Sequence, residues 1–233
     1  MRPLIVSSLL LVACSSSPLD PGAGNSLGSG TQTLSVEGSI SADSDVSNAS
    51  NASGFTTHFD IQLTKGGQPV TTGTVTISSN GGDVALTFDT TNGGRWIGSQ
   101  AGYFEVYGLD VTSGSDTITG VRIDGPDLHT FTAPALGATL DATAANTVTW
   151  SRADHADVAT IRTQQIDRIT IDDTGTYSLA AGALRSSKDK AENESIELRR
   201  SNQVQPAGAV AGSSVSVGVR NHVDVLVAIN PAA

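Results

Sequence analysis

The stretch Thr74-Val75-Thr76-Ile77-Ser78-Ser79-Asn80-Gly81-Gly82-Asp83-Val84-Ala85-Leu86-Thr87-Phe88 decides the fold. Val75 and Ile77 alternate with Thr and Ser, and Val84, Leu86 and Phe88 alternate with Ala and Thr. That period of two belongs to strands with one buried face. Asn80-Gly81 between them is a two-residue hairpin signal, because the favoured turn needs positive φ at both central residues. Centring the hairpin there sets Ile77 opposite Val84 and Val75 opposite Leu86, all on one face. A slip of one residue would send half of them to solvent, so turn and pattern agree independently.

The same alternation extends in both directions. Leu34, Val36 and Ile40 mark one strand, Phe59, Ile61 and Leu63 another, and Phe104 with Val106 a further one. Ile118, Val121 and Ile123 fall out of phase around Gly120, which a β-bulge would repair. Asp124-Gly-Pro-Asp127 and Phe131-Thr-Ala-Pro134 close a first domain over 33–134, and the Ala-rich segment 135–146 reads as a linker. A second domain, 147–231, takes its strands from Val148 and Trp150, Ile161, Ile169 and Ile171, Tyr177 and Leu179, and Ile196 and Leu198. A charged loop over 188–194 follows a short helix near Ala180. At the end, Val215, Val217 and Val219 precede Val223, Val225 and Val227. A three-residue loop of Arg220, Asn221 and His222 would align the two valine sets as a hairpin. The fold class is all-β: two tandem antiparallel β-sandwich domains of immunoglobulin-like type.

Composition agrees. The 233 residues include 25 Gly, two Trp and one Cys, a balance suited to short strands and turns rather than to a helical enzyme. A formal charge of −10 opposes binding to phosphate backbones, so nucleic acid is not expected as a partner.

The first residues point elsewhere. Arg2, the apolar run Leu4 to Leu11 and the small residues before Cys14 have the layout of a secretory leader over 1–13, too short to span a bilayer. Leu11-Val12-Ala13-Cys14 resembles the signal of bacterial lipoproteins. That resemblance implies cleavage before Cys14, a diacylglyceryl thioether and an acylated amino group on it. Two or three acyl chains hold a protein stably where one does not. Ser15 after the cysteine resembles lipoproteins sent to the outer membrane, so the implied location is the cell envelope, lipid-anchored, at the outer membrane. Cys14 is the only cysteine, which leaves the mature chain without a disulfide. Residues 14–32, rich in Ser, Gly and Pro, read as a flexible tether with a reach of roughly 20–25 Å.

The segment Phe59 to Ile77, with Gly66-Gly67-Gln68-Pro69-Val70 between strands, resembles bacterial immunoglobulin-like and carboxypeptidase-regulatory-like modules. Thr147-Val-Thr-Trp-Ser151 with the late valines resembles a fibronectin type III sandwich in which Trp150 is the core aromatic. These families imply spacer, adhesion or binding roles, although a fold does not by itself imply a function.

Candidate chemistry is sparse. Asp154-His155-Ala156-Asp157 reads as a solvated turn between strands. Asp172-Asp173-Thr174-Gly175, with Asp167, lacks the full acidic loop of a calcium site and reads as a capped turn. His58, His129, His155 and His222 match no zinc spacing, and no serine sits in a nucleophile motif. No cofactor and no metal are expected. Tyr103, Glu105 and Tyr107 alternate with Phe104 and Val106, so Tyr103 and Tyr107, near Trp96, would present rings to solvent for a sugar or protein partner. The leading expectation is a non-catalytic lipid-anchored envelope protein with a structural or interaction role and another envelope protein or a glycan as partner. The alternative is a carbohydrate- or ligand-binding module using Trp96, Tyr103 and Tyr107; an enzyme with an unrecognised site comes third.

Overall fold

The computed structural model describes residues 19, 23–91 and 93–232. The leader, Cys14 and the first part of the tether lie outside the described residues. The chain runs through β1 (Ser26–Gly30), β2 (Ser35–Ser44), β3 (Phe55–Lys65), β4 (Gln68–Pro69), β5 (Thr74–Ser79) and β6 (Gly82–Ala85). It continues through β7 (Thr87–Asp89), β8 (Arg95–Ala101), β9 (Val106–Ser113), β10 (Asp116–Asp124), β11 (Phe131–Ala133) and β12 (Thr139–Leu140). The remaining strands are β13 (Asn146–Trp150), β14 (Val158–Arg162), β15 (Ile169–Ile171), β16 (Thr176–Leu179), β17 (Glu192–Val204) and β18 (Ser214–Val227). The protein is all-β, and its described helical content is one 3₁₀ turn, Ala52–Gly54.

Three sheets form two layers. A ten-stranded sheet runs β15-β14-β17-β18-β2-β3-β8-β7, with β12 alongside β18 and β4 alongside β3. A five-stranded sheet, β1-β10-β9-β5-β6, faces one half of it, and a three-stranded sheet, β11-β13-β16, faces the other. Pairing is antiparallel except between β18 and β2 and between β12 and β18. Two apolar cores result. The first gathers Leu34, Ile40, Phe59, Ile61, Ile77 and Leu109, the second Val148, Trp150, Ile161, Leu179 and Leu198. Burying each such side chain contributes about 1.5–3 kcal/mol.

The β5–β6 hairpin is present with the expected register, Ile77 facing Val84, and Leu86 N–H donates to Val75 O at 2.8 Å. Its turn differs in conformation. Positive φ falls on Gly82, at 105°, and on neither Asn80 nor Gly81. Gly81 is needed for a different reason, since a Cβ there would collide with the Phe104 ring. The bulge at Gly120 is also present, as a register shift between Ile118 and Val121 with Gly120 at φ 67°.

The two halves are less separate than the linear reading expects. Val215 to Val227 is not a hairpin but runs within one uninterrupted fourteen-residue strand, Ser214–Val227. Both valine sets and Asn221 carry odd numbers, so a straight strand puts them on one face without any loop. Val215, Val217 and Val219 enter the first core, and Val223, Val225 and Val227 enter the second. β17 pairs with β18 along its full length, from Glu192 with Val227 to Val204 with Val215. One long ribbon therefore serves both cores. The segment 135–146 is also more than a connection: β12 pairs with β18, Ala142 is buried in the second core, and Phe131 joins them there. Residues 26–30 of the expected tether form β1, held to β10 on one side and bonded through Leu27 O to Ala207 N–H on the other. No helix forms near Ala180, where Ala183 and Leu184 are buried in irregular backbone.

Candidate functional site

Strand parity builds a polar belt where one core gives way to the other. On β17 the even positions face inward: Glu194, Ile196, Leu198, then Arg200. On β18 the odd valines face inward, with Asn221 between Val219 and Val223. The alternation that buries the apolar residues therefore delivers an arginine and an asparagine into the interior, and both are 0% exposed.

Arg200 is satisfied at every edge of its guanidinium. Its Nε donates to Asp173 Oδ2 at 2.9 Å, Nη1 to Asp127 O at 2.8 Å, and Nη2 to Asp127 Oδ1 at 3.0 Å and to Asp154 O at 2.5 Å. Asp173 also accepts from Trp150 Nε1 at 3.0 Å and Ala156 N–H at 2.8 Å. Burial pushes the Asp173 carboxyl up, but these hydrogen bonds and the Arg200 charge outweigh it and hold the group below the usual carboxylate range. Asp173 is thus committed to an internal ion pair rather than to a calcium ion. Among the described residues no group of three or more His, Cys, Asp or Glu is placed to hold a metal.

Asn221 closes the belt on the neighbouring strand. Its Oδ1 accepts from Ala49 N–H at 3.1 Å, and its Nδ2 donates to Ala49 O and His129 O, both at 2.9 Å. His129 is also fully buried, and neither ring nitrogen has a hydrogen-bond partner among the described residues. Burial, reinforced by the Arg200 charge, lowers its pKa to about 3, so the ring is neutral. Beside this belt a surface cleft of about 430 Å³ is lined by Glu105, Asp124, Asp127, Asp154, His155 and Asn202. Burial and the neighbouring Asp127 raise the Glu105 pKa.

The three aromatics expected at the surface are inside. Trp96 is 5%, Tyr103 3% and Tyr107 0% exposed, all in the first core. Their polar atoms are taken up internally: Trp96 Nε1 donates to Val70 O at 3.0 Å and Tyr103 OH to Pro126 O at 2.5 Å, while Phe104 N–H donates to Tyr107 OH at 2.9 Å. The expectation failed because β9 begins only at Val106. Tyr103 precedes the strand, and Tyr107 shares its inward parity with Leu109 and Val111. They form no exposed platform.

Of the polar motifs, Asp154 to Asp157 lies in the loop between β13 and β14, as expected, and is pinned there. Asp157 Oδ2 accepts from Gln203 N–H at 2.9 Å, and Asp157 N–H donates to Asn202 at 3.0 Å. His58, His129, His155 and His222 occupy separate places, on the outer sheet face, in the belt, beside the cleft and on β18. Sequence reasoning did not single out Arg200, and it assigned Asn221 to a loop. Their signal was parity: each continues an apolar series in which a polar residue stands at an inward position.

The fold and the belt define an all-β protein of sandwich architecture with two cores on a shared ribbon. No protein-family model matches the chain, and no curated protein does. Among solved structures, the chain is similar to the fibronectin(III)-like modules of Clostridium thermocellum CbhA. There the identity is 13% and the TM-score 0.26, over 81% of this chain and 93% of that one. It is also similar to a chimeric titin Z1Z2-Z1Z2 tandem carrying a GRGDS peptide from fibronectin, at 13% identity and a TM-score of 0.23, over 86% and 99%. Likeness of this degree extends to neither activity nor partner.

Proposed function

We propose that the protein is a non-catalytic, lipid-anchored component of the bacterial cell envelope, attached at the outer membrane through Cys14, whose folded part is a rigid strut with a structural or protein-interaction role. The lipoprotein-like Leu11-Val12-Ala13-Cys14 supports the anchor. The observation that carries the strut is the β17–β18 ribbon, continuous through both cores and clamped at its middle by Arg200. Two domains on a loose linker would reorient freely; two cores sharing a hydrogen-bonded ribbon move as one body. Burial of Trp96, Tyr103 and Tyr107 removes the basis of the aromatic binding alternative.

Two measurements test this reading. Palmitate labelling of wild type and Cys14→Ala checks the anchor: label on the wild type alone supports it, and equal labelling of both sinks it. Spin labels at exposed Thr71 in the first half and exposed Lys188 in the second test the strut. A single narrow distance distribution is expected, and a broad or bimodal one overturns rigidity.

A further inference from the structure

Where β18 runs past the end of β2, it carries polar side chains on the sheet face turned away from both cores. The parallel pairing of the two strands reaches Arg220 opposite Asp43. There β2 ends at Ser44, while β18 continues through His222 and Asp224, which share a face because they are two residues apart. The chain after Ser44 is stitched to the same strand: Asn48 N–H donates to His222 O at 2.5 Å, and Asp224 N–H to Ser47 Oγ at 2.8 Å. Ser44, 178 residues from His222 in sequence, is thereby set against its ring, with Oγ 2.7 Å from His222 Nδ1. Asp224 Oδ2 lies 3.9 Å from His222 Nε2.

These groups open into one surface cleft of about 320 Å³, lined by Ser44, Ser195, Glu197, Arg220, His222 and Asp224. Nucleophile, base and carboxylate gathered in one concave site are the parts of a reactive serine. With Nδ1 accepting from the Ser44 hydroxyl, the neutral ring carries its hydrogen on Nε2, the nitrogen on the Asp224 side. Arg220 adds a donor. Its Nε and Nη1 are taken by Asp43 at 2.8 Å and Glu197 at 3.2 Å, while Nη2 has no partner among the described residues. A spare cationic N–H in the cleft stabilises the negative charge that builds on a carbonyl oxygen under attack. The relay is loose at its far end, since 3.9 Å exceeds hydrogen-bond length and the Asp224 side chain is 57% exposed.

We propose that Ser44 is a modification site, a reactive serine that accepts one acyl group from an aryl ester or thioester, with His222 as its base. The bond from Ser44 Oγ to the acyl carbon forms, and the donor's acyl–oxygen or acyl–sulfur bond breaks. The hydroxyl proton passes to His222 Nδ1 and from there to the leaving group. An aryloxide or thiolate leaves with little help, so a loosely oriented imidazole suffices for this step. Hydrolysing the product is harder, because it must expel the Ser44 alkoxide, a much poorer leaving group. That step needs a firmly oriented acid, which Asp224 at 3.9 Å does not provide. The acyl group therefore stays, one per chain, and the strut gains a covalent modification without a catalytic cycle.

The test treats the full chain in neutral detergent with p-nitrophenyl acetate and locates the acetyl group by peptide mass spectrometry over time. Ser44 should be acetylated to completion and keep its label. His222→Gln keeps a hydrogen-bonding side chain beside Ser44 but removes the base, and should slow that acetylation at least about a hundredfold. Asp224→Asn should slow it less, with thermal melts checking that both variants are folded. A fluorophosphonate, which traps activated serines, should label wild type at Ser44 and leave Ser44→Ala unlabelled, a readout that needs neither of the other variants. The site is overturned if Ser44 in wild type stays unmodified or reacts no faster than exposed Ser50, or if folded His222→Gln reacts at the wild-type rate. Sustained ester turnover that Ser44→Ala abolishes overturns the single-acceptor reading. None of these outcomes touches the Cys14 label or the spin-label distances, so the strut and its anchor stand or fall separately.

Discussion

Arg200→Met is the sharpest perturbation of the junction. The side chain is 0% exposed, makes four hydrogen bonds and pairs with Asp173, itself 2% exposed at the side chain. Removing one partner of a buried ion pair costs about 3–5 kcal/mol, mainly because the other charge is left uncompensated. Methionine refills much of the aliphatic volume, and Asp173 keeps its bonds from Trp150 and Ala156, so the lower half of that range is expected, about 3–4 kcal/mol. For a chain of this size each kcal/mol moves Tm by about 2–4 °C, which places the drop at about 6–16 °C. Urea denaturation with tryptophan fluorescence reads it, since Trp150 touches the network. The pH dependence supplies a second check. The Asp173 pKa is depressed in the folded protein, so its contribution is present above the unfolded value near 3.9 and lost as pH falls through the folded value. Without Arg200 that depression lessens, and the difference between wild type and variant should shrink below about pH 4. Adding Asp173→Asn should recover part of the loss. A neutral-pH loss under about 1 kcal/mol, or a difference that persists unchanged into acid, would show that Arg200 is not what compensates the buried Asp173 charge.

Three further outcomes follow from the same belt and its surroundings. His129 has a folded pKa of about 3 against 6.5 unfolded, so stability is full above pH 6.5 and about 2 kcal/mol is lost by pH 5; His129→Leu should flatten that decline in denaturation curves, and an unaltered slope would exclude the ring as its cause. Asn221→Val extends the valine series but strands Ala49 N–H, Ala49 O and His129 O; at about 1–3 kcal/mol for each orphan, less the gain from a buried valine, urea midpoints should report a net loss of about 2–4 kcal/mol rather than stabilisation. Gly30→Ala would drive a Cβ into Thr117 O, so hydrogen exchange should accelerate across β1 while global stability barely changes; retained protection would show that β1 tolerates a side chain there.

The strands were legible because alternation and turn chemistry are local. Ile77 against Val84 and the bulge at Gly120 required only neighbouring residues and the pleat. The aromatics were misplaced because projecting alternation from Phe104 presumed a strand that starts two residues later, at Val106. The junction was hidden for a different reason. A charged residue in a strand is ordinarily assigned to the solvated face, and nothing near Arg200 in sequence announces that Asp127 and Asp173, 73 and 27 residues away, will be there to receive it.

The sequence alone determined an all-β chain, the register of its β5–β6 hairpin and the inward face of nearly every strand, since a period of two leaves little choice once one face is apolar. It also supplied the signal from which the anchor is inferred. Only the tertiary structure decided that Val215 to Val227 runs straight. Parity is identical for a three-residue loop and for an unbroken strand, and the choice fell to the partners waiting at Asn221: the Ala49 amide and the Ala49 and His129 carbonyls, which let a polar side chain sit inside the sheet at no unpaired cost. That one choice joined two expected domains through a single ribbon, and it set His222 beside Ser44 on the outer face.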